Sequence, residues 1–150
     1  MVNQDEAFML EALLEADNAE RIGEVPVGAV LVHDNAIIAR AHNKPIATCD
    51  PTMHAEVNVL RLGGKVLQNY RLIDTTLFVT LEPCVMCMGA IIHARVARVV
   101  FGAFDPKTGA CGSVFSLHDE PRLNHRLTVR GGVLEAESRH KLQSFFTKRR

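Results

Sequence analysis

The sequence lacks the features that would place the protein in a membrane or export it from the cell. No apolar stretch reaches the about 18 residues that span a bilayer, and the N-terminus carries no basic segment followed by an apolar one. We therefore expect a soluble, cytoplasmic protein with no membrane partner. In that reducing environment its four cysteines are not expected to form a disulfide framework, so a closely spaced pair indicates metal binding or redox chemistry.

An excess of charge is also absent, because 17 basic residues balance 17 acidic ones. This balance argues against a protein that coats nucleic acid with its whole surface. The charges are nevertheless separated along the chain: residues 1–24 carry seven acidic residues and one basic residue, whereas residues 122–150 carry eight basic and two acidic ones. The C-terminal excess is either a solvated face or a local anion-binding edge, and the sequence leaves both open.

The order of helix and strand patterns indicates the fold class. No repeat, linker or low-complexity segment is visible, and 47% hydrophobic residues in 150 are enough for a single domain over residues 1–150. Apolar residues at helical spacing predict helices over residues 4–20, 53–62, 83–93 and 134–147. Apolar, β-branched runs predict strands over residues 25–32, 36–41, 76–81, 98–102 and 127–130. Because strands alternate with helices, we expect a layered α/β domain with a partly parallel sheet.

Short local signals set the expected ends of these elements. Asn3 and Glu6 are spaced as a cap pair for the first helix, and residues 34–35 form a candidate hairpin turn. Two adjacent glycines, residues 63–64, suit a left-handed cap that ends the second helix.

Cys84 and Cys87 are the closely spaced cysteines, and Pro83 before them fits the first turn of the third helix. That helix start would place both sulfurs on one face, one turn apart. The positive end of the helix dipole there favours thiolates, the form that binds metal. The spacing alone leaves three interpretations open: a redox dithiol, half of a structural zinc site, or part of a catalytic zinc site.

His54 and Glu56, at the start of the second helix, favour the catalytic interpretation. A helix–strand–helix unit can bring this helix start beside the two cysteines, which gives three ligands and leaves zinc's fourth position open for water. Glu56 would then act on that water as acid and base. Residues two apart on a regular helix point about 200° apart, so both can address one centre only from a loose first turn. Cys49 or Cys111 remains a possible fourth ligand, which would make the site structural.

A wider pattern surrounds these motifs. The combination of H-A-E with P-C-x-x-C is the signature of zinc-dependent nucleobase deaminases. The chain resembles the bacterial, TadA-type tRNA-specific adenosine deaminases over nearly its whole length, in PVGAV at 26–30, DPTMHAE at 50–56, NYRLIDTTLFVTLEPCVMCMGA at 69–90, VVFGAFDPKTGACGS at 99–113 and NHR at 124–126. The resemblance implies a cytidine deaminase-like fold: a three-layer α/β/α arrangement around a mixed five-stranded sheet. It also implies a homodimer that converts adenosine to inosine at the wobble position of a tRNA anticodon, usually that of an arginine tRNA.

The resemblance assigns roles to residues by position. His54, Cys84 and Cys87 hold Zn²⁺, and a water molecule activated by the metal attacks carbon 6 of the flipped-out adenine. Glu56 moves the protons. The other expected substrate contacts are Asn43 facing the target nucleotide, Asp105 beside its ribose, and the pocket walls Val27 and Ala55.

Two positions depart from the family pattern. Phe104 stands where the family often has arginine, and Cys111 stands where it has alanine. Neither position belongs to the zinc chemistry. Asp105 follows the family, and because a carboxylate beside the sugar can accept a hydrogen bond from a 2′-hydroxyl, we expect an RNA substrate and no DNA partner.

The C-terminal helix is expected to contact the tRNA anticodon stem-loop. Lys148, Arg149 and Arg150 would hold phosphates. Phe145 and Phe146 lie on the same helix, where they can face the core or in part stack on a base. These contacts would separate a tRNA enzyme from one that acts on a free base.

Three rival functions share parts of the pattern. A deaminase of free cytidine, deoxycytidylate or guanine would share the zinc signature but would have no use for a basic C-terminal helix. A thiol oxidoreductase would share the cysteine pair without needing His54 or Glu56. A structural zinc-binding module would bind the metal and convert nothing.

Overall fold

A computed structural model describes residues 3–149, and its strands form one mixed sheet. The strands are β1 (Gly28–His33), β2 (Ala36–His42), β3 (Thr75–Leu81), β4 (Arg98–Ala103) and β5 (Thr128–Arg130). The α-helices are α1 (Gln4–Arg21), α2 (Pro45–Thr48), α3 (Ala55–Leu67), α4 (Val85–His93) and α5 (Glu135–Lys148), and a short 3-10 helix covers Leu117–Asp119. The predicted helices and strands are all present in the predicted order, whereas α2 and the 3-10 helix were not predicted. The bounds differ most at the start of β1 and the end of α3.

The strand order brings the ends of β3 and β4 together. The order is β2-β1-β3-β4-β5, with β1 antiparallel to β2 and β3, and with β3, β4 and β5 parallel. Leu81 pairs with Ala103 at the ends of β3 and β4, so the loops that follow these strands leave the sheet side by side. The mixed five-stranded sheet confirms the predicted fold class.

Alternating strand residues separate two apolar layers. Leu31 and Leu77 pack in the cluster that contains the apolar residues of α3 and α4, whereas Val30 and Phe78 pack in the cluster that contains those of α1. The α5 helix lies beside α1, to which it is joined by an ion pair. The sheet therefore has α1 and α5 on one face and α3 and α4 on the other, which is the predicted three-layer arrangement.

The predicted cap at residues 63–64 is wrong, because α3 runs through both glycines to Leu67. It ends at Gln68, which adopts the left-handed conformation with a φ of 53°. A Cβ atom on Gly63 would lie 2.4 Å from Cδ2 of Leu31. Glycine at this position leaves room for the Leu31 side chain where α3 packs on β1, and it does not end the helix.

The starts of the other helices agree more closely with expectation. The Asn3 side chain accepts a hydrogen bond from the Glu6 amide at 2.9 Å, as the cap pair predicts. The α4 helix starts two residues later than predicted, at Val85, so Cys84 is its N-cap and Pro83 precedes the cap. Within residues 3–149, no helix combines the length and the apolar content that a membrane-spanning helix needs.

Candidate active site

The N-terminal ends of α3 and α4 converge at the edge of the sheet where β3 ends. His54 is the N-cap residue of α3 and Cys84 is the N-cap residue of α4, and both have an extended backbone. Because an N-cap residue lies outside the helical turns, His54 is not bound by the angular relation of a regular helix. Its side chain and that of Glu56 can therefore address one centre.

Three donor atoms lie together between the two helix ends. His54 Nδ1 is 3.7 Å from Cys84 Sγ and 3.5 Å from Cys87 Sγ. A tetrahedral zinc ion with ordinary Zn–N and Zn–S bonds holds such atoms about 3.6 Å apart. Among residues 3–149 these side chains form the group that could hold a metal ion, and Cys49 and Cys111 lie outside it. These three residues, here called the metal group, fit a metal with three protein ligands.

The pKa values of the two thiols of this group are shifted in opposite directions. A hydrogen bond with Cys87 and the neighbouring His54 lower the pKa of the Cys84 thiol to about 4. The same hydrogen bond and burial raise the pKa of Cys87, and the bond to Cys84 raises the pKa of His54. A thiolate is the form that ligates metal, so one sulfur donor is ionised at neutral pH.

Glu56 is a buried acid in the first turn of α3, with its side chain toward the metal group. It is 4% exposed, and burial raises the pKa of its carboxyl to about 7. Hydrogen bonding and charge link it to Cys87 and His54. A carboxyl that titrates near neutral pH is suited to take up and release protons.

Asn43 anchors the start of α3. Its side-chain oxygen accepts a hydrogen bond from the Ala55 amide at 2.8 Å, which supplies the cap that His54 does not provide. The main-chain amide of Asn43 donates to the Val27 carbonyl at 3.0 Å. The structure thus brings Val27, Asn43 and Ala55 together beside the metal group. Val27 and Ala55 are buried, and their role as pocket walls stays a prediction.

Asp105 lies two residues after the end of β4, in the loop that follows the strand, and organises a turn with its own side chain. The carboxylate accepts hydrogen bonds from the amides of Lys107 and Thr108, at 3.0 and 3.1 Å, and from the Thr108 hydroxyl at 2.7 Å. These contacts give Asp105 a structural role in the turn. Its predicted role beside a ribose stays a prediction.

Glu82 is a residue of this region that the sequence analysis does not identify. It follows β3 directly and is 2% exposed. It accepts hydrogen bonds from backbone amides of the loop that follows β4. The available signal was an acidic residue between an apolar strand and the cysteine motif, where burial makes a charge costly unless it is paired.

The two phenylalanines of the C-terminal helix differ in exposure. Phe145 is 3% exposed, and the Arg149 guanidinium lies 3.6 Å above the centre of its ring. Phe145 thus faces the core, which is one of the two alternatives that the sequence leaves open for it. Phe146 is 50% exposed and Lys148 is also exposed, while Arg150 lies outside the described residues.

Part of the C-terminal positive charge is neutralised within the protein. Within the described part of this segment, residues 122–149, four basic side chains form ion pairs, namely Arg122–Glu120, Arg130–Asp5, Arg139–Glu135 and Lys141–Asp17. Two of these partners are on α1, which carries much of the N-terminal acidic excess. Among the described residues of this segment, Arg126, Lys148 and Arg149 form no ion pair, and two of these three lie at the end of α5.

Comparisons with known proteins agree with this geometry. The model of the "Cytidine and deoxycytidylate deaminase zinc-binding region" matches residues 2–103. A tRNA-specific adenosine deaminase of Haemophilus influenzae is 56% identical over 147 residues, which are 97% of this chain and 85% of that relative. A solved structure from a study of A-to-I editing by tRNA:A34 deaminases at the wobble position of transfer RNA has a TM-score of 0.88 at 44% identity, covering 91% of this chain and 99% of that one.

A guanine deaminase of Bacillus subtilis is a more distant structural neighbour. Its TM-score is 0.65 at 36% identity, and the match covers 82% of each chain. The shared fold therefore extends to enzymes with a free-base substrate, and identity is higher to the relatives named for tRNA.

Proposed function

The chain belongs to the tRNA-specific adenosine deaminases within the cytidine and deoxycytidylate deaminase family, and we propose that it converts adenosine to inosine at the wobble position of a tRNA anticodon, with an arginine tRNA as substrate. The observation that carries the proposal is the group of His54, Cys84 and Cys87 with the buried Glu56 carboxyl beside it. We further propose that residues 1–150 act as a single cytoplasmic domain.

The metal is proposed to be zinc, held by His54, Cys84 and Cys87. The separations of their donor atoms support this set, and three ligands leave one tetrahedral position open. Bound zinc supplies a nucleophile at neutral pH, because it lowers the pKa of a water molecule from about 16 to about 7. Neither a redox dithiol nor a structural site would need the carboxyl of Glu56.

Glu56 would carry the protons of the reaction. Its carboxylate takes a proton from the attacking water, delivers it to ring nitrogen 1 of adenine, and later protonates the amino group that leaves as ammonia. The oxygen of water replaces the amino nitrogen on carbon 6, so adenosine and water become inosine and ammonia. The buried position supports this role, since a proton held there is shielded from bulk water.

The pocket around this centre would receive a flipped-out nucleotide. The side-chain oxygen of Asn43 accepts from the first turn of α3. Its side-chain NH₂ group has no hydrogen-bond partner among residues 3–149 and would donate to the nucleotide. Asp105 would accept a hydrogen bond from the ribose 2′-hydroxyl, which favours RNA over DNA. An anticodon loop suits such a pocket, because its unpaired bases leave their stack at a lower energy cost than paired ones.

The first prediction concerns the substrate class. Incubated separately with total tRNA, free adenosine, free cytidine and guanine, the purified protein should form inosine from tRNA and no product from the three free compounds. Nucleoside mass spectrometry measures all four reactions. Deamination of free guanine or cytidine without reaction on tRNA would instead support the free-base function of the more distant structural neighbour.

The second prediction concerns the end of the chain. Lys148 and Arg150 are the residues to replace with alanine, because Arg149 also covers Phe145 and donates to the Gly23 carbonyl. If both hold phosphates, the double variant should bind an anticodon stem-loop more weakly. The negative slope of log affinity against log salt should become less steep, by about 0.7 for each phosphate that the variant no longer binds.

A matched control is Arg40→Ala, which removes one positive charge from the edge strand β2, where Arg40 pairs with Glu11. Its salt slope should equal that of the unaltered protein. Equal slopes for the double variant as well would mean that the tail is a solvated end without a role in binding RNA.

We also propose that the active form is a homodimer. Apolar side chains on and beside α3 and α4 are exposed in the single chain, including Val66, Tyr70, Val85 and Met86, and a second copy would cover them. Light scattering should give twice the mass of one chain, and a monomer at micromolar concentration would contradict the proposal.

A further inference from the structure

One carboxylate joins the turn that carries the metal-binding cysteines to the loop that carries Asp105. Glu82 Oε1 accepts a hydrogen bond from the Asp105 amide at 3.0 Å. Its Oε2 accepts from the amides of Cys111 and Ser113, each at 3.0 Å, and the Ser113 hydroxyl also donates to Oε1. Both oxygens of a buried acid are thus occupied by donors from residues 105–113.

The loop is shaped to surround this carboxylate. A Cβ atom on Gly109 would lie 2.3 Å from the carboxyl carbon of Glu82, so glycine is required for the loop to close around it. The main chain adds two connections, from the Glu82 amide to the Ala103 carbonyl at 2.9 Å and from the Ala110 amide to the Pro83 carbonyl at 2.8 Å. The loop of residues 104–113 is therefore built on Glu82.

The position of Glu82 in the chain links the loop of residues 104–113 to the metal group. Glu82 lies two residues before Cys84, at the end of β3, and the loop leaves the neighbouring end of β4. We propose that Glu82 is a positioning residue that sets Asp105 relative to the metal group, and through it the preference for ribose over deoxyribose. This inference rests on the proposed function, in which Asp105 faces the ribose.

Glu82→Gln is the variant that tests the proposal. Glutamine keeps the size of the side chain, but its NH₂ group must face at least one backbone amide, because both oxygens of Glu82 accept from backbone donors. The loop should shift while the cysteines stay in place. We expect full zinc content, a KM for an RNA stem-loop raised about ten- to a hundredfold, and a smaller change in kcat.

The ratio of RNA to DNA affinity separates positioning from a general loss of stability. It should fall in Glu82→Gln, as it should in Asp105→Asn, and the double variant should have the ratio of Asp105→Asn alone, because both changes remove one interaction. The matched control is Asp5→Asn, which breaks ion pairs with Arg98 and Arg130 at the far end of the sheet. It should lower the melting temperature and leave the ratio unchanged.

Several results would overturn the proposal: an unchanged ratio in Glu82→Gln, loss of zinc from that variant, or additive effects of the two substitutions. If Glu82→Gln does not fold, Ser113→Ala removes only the hydroxyl that donates to Oε1 and keeps the backbone amides in place, and it should lower the ratio less. The ratio of RNA to DNA affinity is measured by binding, so it tests the role of Glu82 even if the unaltered protein forms no inosine. That last result would count against the proposed function alone.

Discussion

Glu56→Ala should lose nearly all activity and keep its zinc. General acid–base catalysis typically contributes 10²- to 10⁴-fold, so we expect kcat to fall by about that factor, which equals about 3–5 kcal/mol in the barrier. The carboxyl is not one of the three atoms that form the metal group, so the metal does not need it. Steady-state kinetics on an anticodon stem-loop and metal analysis of the same preparation measure both effects.

A matched control for this substitution is Glu137→Ala. Glu137 also lies in the first turn of a helix, α5, but it is exposed and distant in the chain from the metal group. Its kcat should not change. Near-normal turnover by Glu56→Ala would require that another group carries the protons.

Replacing any one of His54, Cys84 and Cys87 with alanine should abolish both zinc binding and activity. Three protein ligands are the minimum found in catalytic zinc sites, and a site with two does not hold the metal tightly. Folding should also become less stable, because zinc that binds only the folded state no longer adds its binding free energy. Metal content per chain and thermal unfolding with and without a chelator measure these losses.

The other two cysteines provide the controls. Cys49 is exposed and Cys111 is buried beside Met88, and neither belongs to the metal group. Cys49→Ala and Cys111→Ala should retain one zinc per chain, although removal of the buried sulfur should lower stability. Unchanged zinc content in Cys84→Ala would exclude the proposed site.

Much of the fold could be predicted because its signals are local. The hairpin of β1 and β2 follows from two β-branched runs around residues 34–35, and the cap at Asn3 depends on a side chain three residues from its partner. The wrong prediction of a helix cap at Gly63 arises from a contact between residues distant in the chain. A glycine that ends a helix and one that admits a neighbouring side chain look alike until Leu31 is known to pack against it.

The residues of the candidate site also differ in whether short motifs or distant contacts identify them. The spacing of Cys84 and Cys87 and the His-Ala-Glu segment identify the candidate ligands, since both motifs are short and chemically specific. Glu82 was missed because its partners lie more than 20 residues further along the chain. The sequence could not decide whether Phe145 faces the core or a base, because its cover by Arg149 depends on how the last turn of α5 packs.

The sequence by itself determined the fold class, the three donor residues with their neighbouring carboxyl, and the family resemblance. Each of these depends on residue type and short spacing, which are properties of the chain alone. Only the tertiary structure decided that His54 and Cys84 are both N-cap residues, that Cys49 and Cys111 stand apart, and that Glu82 binds the Asp105 loop. These features depend on which helix starts and loops the sheet order places side by side, and contacts of that range are set by packing of the whole chain.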